Sequence, residues 1–268
     1  MKLQNYLVSK NEGELTFCLD YIQENCCKSS AVIVISGLSE HLVDLDYYMA
    51  KLSKYLYDKG YDVFQVDLYA HGDSTGESEN ISLEKLKNSI LDVVSHIKDN
   101  GFTSAVIISR GIVGTLVVAF FDDNPLISKI ISINPWYYSP VISRKLCNLI
   151  KKKKIKFTDV LRGYCNGLLG LPQDIEKIIN VYSELGVFNN MVSEEFLYEL
   201  LLYDYTIFEN SKKAIFFETN QEKTGIIRWE IDQGYRLDDD FDHISLVSNA
   251  MWHFSTYETI NECLKDEI

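Results

Sequence analysis

The sequence is poor in the features that mark several large protein classes. It has no C-x-x-C pair, since its six cysteines fall at 18, 26, 27, 147, 165 and 263, and the adjacent Cys26-Cys27 pair is a poor clamp for a metal. Such spacing leads us to expect reduced thiols, not a disulfide framework. No apolar run is long enough to cross a bilayer, and Met1–Glu12 is too polar to read as a signal peptide, so the expected location is cytoplasmic. No strand-like segment is followed by G-x-G-x-x-G, which weighs against a dinucleotide site. Basic residues are outnumbered by acidic ones, 26 to 39, and the resulting charge of −13 excludes a general nucleic-acid binder. Only four prolines and no low-complexity linker interrupt the chain, so 268 residues can form one large domain or one domain with an insertion.

What is present is a regular alternation. Tyr6–Ser9 and Leu15–Tyr21 flank the Asn11-Glu12-Gly13 turn and read as an edge hairpin. Ala31–Ile35, Tyr61–Val66, Ala105–Ile108 and Lys129–Ile133 are short apolar runs rich in β-branched residues, the pattern of strands covered on both faces. Between them, Asp46–Tyr57, Leu83–Lys98 and Ile112–Phe121 have helical spacing, and Gly60 closes the first. Strand and helix in alternation predict a doubly wound, mainly parallel sheet, with chemistry at the carboxyl ends of its strands, where Gly37, Asp67 and Gly111 fall.

The rhythm changes after Trp136. Val141–Lys152, Thr158–Leu168, Asp174–Leu185 and Ser193–Tyr203 read as helices with no strand between them. We therefore expect a core of residues 1–136 and 211–268, with 137–210 inserted as a helical cap. Ala214–Phe217 returns to strand character, Thr224–Asp232 reads as a short crossing element, Tyr235–Asp238 as the last strand and Phe254–Leu264 as a closing helix. Arg144, Lys145, Lys151–Lys154 and Lys156 concentrate positive charge within the insertion. A solvated helix end explains them better than attraction to an anionic surface.

Three blocks carry a specific resemblance. They are Ser36-Gly37-Leu38-Ser39-Glu40-His41, Gly60-Tyr61-Asp62-Val63, and Asp67-Leu68-Tyr69-Ala70-His71-Gly72-Asp73-Ser74-Thr75-Gly76. Together they resemble the α/β-hydrolase branch that contains monoglyceride lipases, lysophospholipases and serine aminopeptidases. That branch usually carries His-Gly-x-Gly-Glu-His at the first block and Gly-His-Gly-x-Ser-x-Gly at the third, so this chain departs at Ser36, Ser39 and Ala70. The resemblance covers residues 31–135 and extends to 212–264, and in the insertion only the placement matches. It implies an α/β-hydrolase fold and an esterase-like activity on an acyl ester, with no metal or organic cofactor.

The same resemblance makes Ser109-Arg110-Gly111-Ile112-Val113 the nucleophile elbow, where G-x-S-x-G lifts a serine between strand and helix. The reacting position falls on Gly111, which has no side chain, so a serine has been replaced here, naturally or by engineering. Moving the nucleophile to Ser109 leaves it on the strand, short of the tip. Val113 stands where the branch has a small residue and is expected to crowd the turn. Leu38 and Ile112 amides would form an oxyanion hole, unless Gly37 merely makes a tight turn. His243 is implied as the base, being better placed than His253 at the start of the last helix. Glu222 is implied as its acid, with Glu218 as the competing position and a solvated surface glutamate as the plain alternative. His71 and Ser74 belong to a structural turn, and His96 to a helix edge. Three functions remain open: an acyl-ester hydrolase by ancestry, an inactive descendant that binds an acyl ligand or a protein, and a non-covalent lyase using His243.

Overall fold

The structure is a computed structural model. It describes residues 2–8, 14–24, 29–38, 47–133, 148, 152, 193–203, 211, 213–219, 226–230 and 254–265. Its strands are β1 (Lys2–Val8), β2 (Leu15–Tyr21), β3 (Ser30–Ile35), β4 (Asp62–Val66), β5 (Ser104–Arg110), β6 (Ile127–Ile133), β7 (Ala214–Thr219) and β8 (Ile226–Glu230). Its helices are α1 (Tyr48–Asp58), α2 (Leu83–Asp99), α3 (Gly111–Phe121), α4 (Glu194–Leu202) and α5 (Phe254–Leu264). The described strands form one sheet in the order β1-β2-β4-β3-β5-β6-β7-β8. Pairing is parallel from β4 through β7, and the β1–β2, β2–β4 and β7–β8 pairs are antiparallel.

The period-2 alternation of the central strands explains the two helical layers. Ile33, Ile35, Ala105, Ile107 and Ile130 face one side, where Leu86, Ile90 and Val93 of α2 and Val113, Leu116 and Val117 of α3 cover them. Val32, Val34, Val106, Ile108, Ile131 and Ile133 face the other, against Tyr48, Leu52 and Leu56 of α1 and Ile260 and Leu264 of α5. With both faces covered, the runs Ala31–Ile35 and Ala105–Ile108 are apolar on both sides, as expected for buried parallel pairing. This is the α/β-hydrolase fold, with a helical insertion between β6 and β7. Within that insertion α4 places Phe196, Leu197 and Leu200 in the same layer as α2 and α3. Its Glu199 accepts a hydrogen bond from the Leu83 amide at the start of α2, at 2.9 Å.

Polar contacts fix the hairpin to the core. Asp20 is buried and pairs with His96 Nε2 at 2.8 Å, while Asn5 Nδ2 donates to the same carboxylate oxygen at 2.6 Å. His96 is thus a helix-edge residue with a defined structural partner. Thr16 donates to Asp92 of α2 at 3.1 Å. Cys18 and Cys263 are buried and form no disulfide, and burial pushes the Cys18 thiol up, leaving it unreactive. Among the described residues no helix is long and apolar enough to cross a membrane.

The sequence reading needs two corrections. The stretch given as a crossing element, Thr224–Asp232, contains β8, an antiparallel partner of β7 in which Phe217 lies opposite Arg228 and Thr219 opposite Ile226. Its Ile-Ile-Arg-Trp-Glu composition already carried β propensity. The central strand also runs on to Arg110, so the chain turns at Gly111 alone. Apart from positions 148 and 152, the three earlier cap helices lie outside the described residues, as does the strand at 235–238.

Helix α3 lies unusually close to β6. A Cβ built on Gly114 would sit 2.1 Å from Ser132 Oγ and 3.2 Å from Ser132 Cβ. The Ser132 hydroxyl is buried without a hydrogen-bond partner. Gly114→Ala should therefore lower stability by about 1–3 kcal/mol, the overlap outweighing the ~1 kcal/mol that alanine gains in a helix. Ser132→Ala discards an unsatisfied hydroxyl and should leave stability unchanged or raise it. Urea unfolding of both single variants and the double variant checks this, and the cost of alanine at 114 should shrink when residue 132 is alanine.

Candidate active site

The sheet brings its chemistry together at the carboxyl ends of β3, β4 and β5. Ile35 pairs with both Ser109 and Val66, so the segments leaving these three strands start side by side. The sharpest reversal is at Gly111. Arg110 is still extended, at φ −130° and ψ 153°, whereas Gly111 has φ +60° and α3 begins there. Left-handed backbone is nearly free for glycine and costs other residues roughly 1–2 kcal/mol. A strand-to-helix reversal of this kind is the backbone form in which a nucleophile elbow exposes its side chain. Apart from its chain neighbours and the backbone of its own helix, no atom of the described residues lies within 4 Å of the place where a Cβ would stand. Val113 does not force the turn open: it is buried in the core layer, and the close helix–strand approach falls at Gly114 instead.

Leu38 follows β3 and Ile112 is the second residue of α3, and both side chains are buried. The Ile112 amide belongs to the first turn of α3, where no intrahelical carbonyl accepts from it and the helix dipole favours an anion.

Arg110 was not singled out from the sequence as a buried residue. It follows Val106 and Ile108 on the α1/α5 face of β5 and is fully buried. Loss of water pulls its pKa down to about 10, which still leaves it charged at neutral pH. The signal lay in the parity of the strand, once the strand is extended by two residues.

The loop after β4 is occupied by structural bonds. Asp67 accepts from the Asp73 amide at 2.9 Å, and its carboxylate fills the space over Gly72, whose φ is +49°. His71 Nδ1 lies 2.7 Å from the Tyr69 carbonyl. Ser74 Oγ accepts from the Phe17 amide at 2.7 Å and donates to the Asp67 carbonyl at 2.6 Å. Ser89 of α2 accepts from the Tyr69 amide at 2.9 Å. Ala70 holds φ +57° at the position where the resembling branch carries glycine. Glu218 lies on β7 opposite Ile227. Glu222, His243, His41 and His253 lie outside the described residues. Of the implied site residues the structure describes Gly111, Leu38 and Ile112, and it describes neither implied triad partner. Among the described residues no cluster of His, Cys, Asp or Glu could hold a metal.

With this geometry in place, the chain can be set beside known proteins. It matches a sequence model of the family described as acyl transferase over residues 5–130, just under half of its length. No curated protein matches it. Est1E from Butyrivibrio proteoclasticus, solved with ferulic acid, is 22% identical with a TM-score of 0.46, covering 53% of this chain. The match spans 56% of Est1E, little more than half of its length. A Pyrococcus furiosus esterase is 17% identical over 81% of this chain and 69% of its own, with a TM-score of 0.50. The α/β-hydrolase GrgF from a Penicillium species is 14% identical over 81% and 79%, with a TM-score of 0.53. At these identities the likeness establishes the α/β-hydrolase fold. Its solved relatives are esterase- and hydrolase-like.

Ser74 tests the division between structural loop and reactive crevice. Ser74→Ala leaves the Phe17 amide and the Asp67 carbonyl without their partner in a buried place. The expected loss is about 1–3 kcal/mol of unfolding free energy, read from denaturant titration. A stability equal to the parent's would show that the loop is not held as described.

Proposed function

We propose that the chain is an acyl-binding protein of esterase and acyl-transferase descent, whose nucleophile position is Gly111. The observation that carries this is the left-handed, unfilled residue between β5 and α3. In this reading residues 1–136 and 211–268 form the core and 137–210 the cover of the ligand. Leu38 and Ile112 amides receive the acyl oxygen, His243 stands as base, and Glu222 orients it.

The chemistry follows from what is missing. In a serine esterase the hydroxyl adds to the ester carbonyl, the histidine takes its proton, and the amides hold the negative oxygen. The alcohol then leaves with that proton, and water or another acceptor receives the acyl group. Glycine offers no atom to form the acyl-enzyme bond, so neither hydrolysis nor transfer by that route can begin. Binding of the acyl group is the part of the cycle that glycine leaves intact. The family match at residues 5–130 covers the strands that carry the crevice and supports an acyl ligand.

The test is to replace the missing atom. Gly111→Ser places a hydroxyl in space that is open among the described residues, at a backbone cost of about 1–2 kcal/mol. Hydrolysis of p-nitrophenyl butyrate should rise by orders of magnitude over the parent chain, and a fluorophosphonate should label residue 111. His243→Ala added to this variant should abolish both signals. A variant that melts normally, yet neither hydrolyses the ester nor takes the label, would contradict the assigned site.

A further inference from the structure

Relative to serine, glycine at 111 lacks a hydroxymethyl group, and the backbone that would carry it is held from both sides. β5 pairs with β3 up to Ser109 and with β6 as far as Arg110, which lies opposite Ile133. Beyond the tip, Ile112, Val113, Leu116 and Val117 of α3 are buried. Gly114 brings the helix so close to β6 that a Cβ there would overlap the Ser132 hydroxyl, so α3 has no play left toward the sheet. Space left by a deleted side chain is lost only when its surroundings can move in. Here neither arm can. Apart from chain neighbours and the backbone of α3, no atom of the described residues lies within 4 Å of a Cβ built at 111. The fold itself keeps this room open.

The missing group has the composition of methanol less one hydrogen. A small primary alcohol therefore matches it in size and in chemistry. Its carbon takes the place of the absent Cβ, and its oxygen the place of the absent hydroxyl. Water supplies the oxygen alone and leaves the apolar part of the room unfilled.

We propose that the room at Gly111 is an acceptor site for a small primary alcohol, to which the chain passes an acyl group in one step, without an acyl-enzyme. The alcohol oxygen bonds to the ester carbonyl carbon, and the carbonyl electrons move onto the oxygen received by the Leu38 and Ile112 amides. As those electrons return, the bond to the original alcohol breaks. The proton shed by the incoming alcohol reaches the departing oxygen through the base assigned above. One ester and one alcohol enter, one ester and one alcohol leave, and nothing is oxidised or reduced. This rests on the acyl-binding reading and adds to it a second ligand and an activity that needs no side chain at 111.

The test follows p-nitrophenyl butyrate with the full parent chain while methanol is raised from millimolar to molar concentration. A ligand of two heavy atoms binds no more tightly than roughly the millimolar range, so the effect belongs in this window. Release of p-nitrophenol above the chain-free background should rise about tenfold and then level off, with methyl butyrate as the product seen by mass spectrometry. The plateau marks a bound alcohol, since methanol acting as solvent gives none. Gly111→Ala puts a methyl group into the room and should remove the plateau. A parent rate that stays flat, or climbs in proportion to methanol, overturns the acceptor site. If Gly111→Ser then still gains esterase activity, the acyl site stands without the acceptor, and if it is inert as well, both fall. A folded Gly111→Ala that keeps the plateau also overturns the proposal, and the parent's curve decides the matter where that variant does not fold.

Discussion

The molecule is organised around one backbone reversal, the step from extended Arg110 to left-handed Gly111 at the mouth of the central strand. Such a step holds only if both of its arms are fixed. β5 is fixed by parallel pairing to β3 on one side and β6 on the other. α3 is fixed by burial around nearly its whole circumference, from Ile112 to Phe121, and by the glycine at 114 that lets it settle onto Ser132. Neither arm has freedom to relax the turn. The amide of Ile112 is consequently presented at the strand ends whether or not a reactive side chain precedes it.

Strain is distributed in an unexpected way around this point. In the resembling branch the tip carries a serine in a backbone form that disfavours it, and the loop after β4 carries a glycine. Here the residues are exchanged in kind: the tip is glycine, and Ala70 holds φ +57° in the loop. The two changes are of similar size, about 1–2 kcal/mol each and of opposite sign. Ala70 is tolerated because its neighbours over-determine it, with Ser74, Ser89 and Asp67 all bonded to the loop backbone. Relief of strain alone would be a weak account of glycine at 111, since a comparable strain is kept a few residues from the next strand end.

Much of the fold was legible because buried parallel strands have a plain signature. Ala31–Ile35 and Ala105–Ile108 are uninterrupted apolar runs, and no helix of that length would end as they do in Ser-Gly or Ser-Arg-Gly. β8 was harder: an edge strand of alternating character after a turn resembles any short crossing element until its partner is known. Around the candidate site, the strand-to-helix turn at Gly111 was legible from the layout of apolar run, Ser-Arg-Gly and helix, whereas the burial of Arg110 was not. A charged residue at the end of an apolar run reads as the end of the strand, and only the continued pairing of Arg110 with Ile133 shows that the strand carries it inside. The triad partners depended on the resemblance from the start, because loops at strand ends have no periodicity to read.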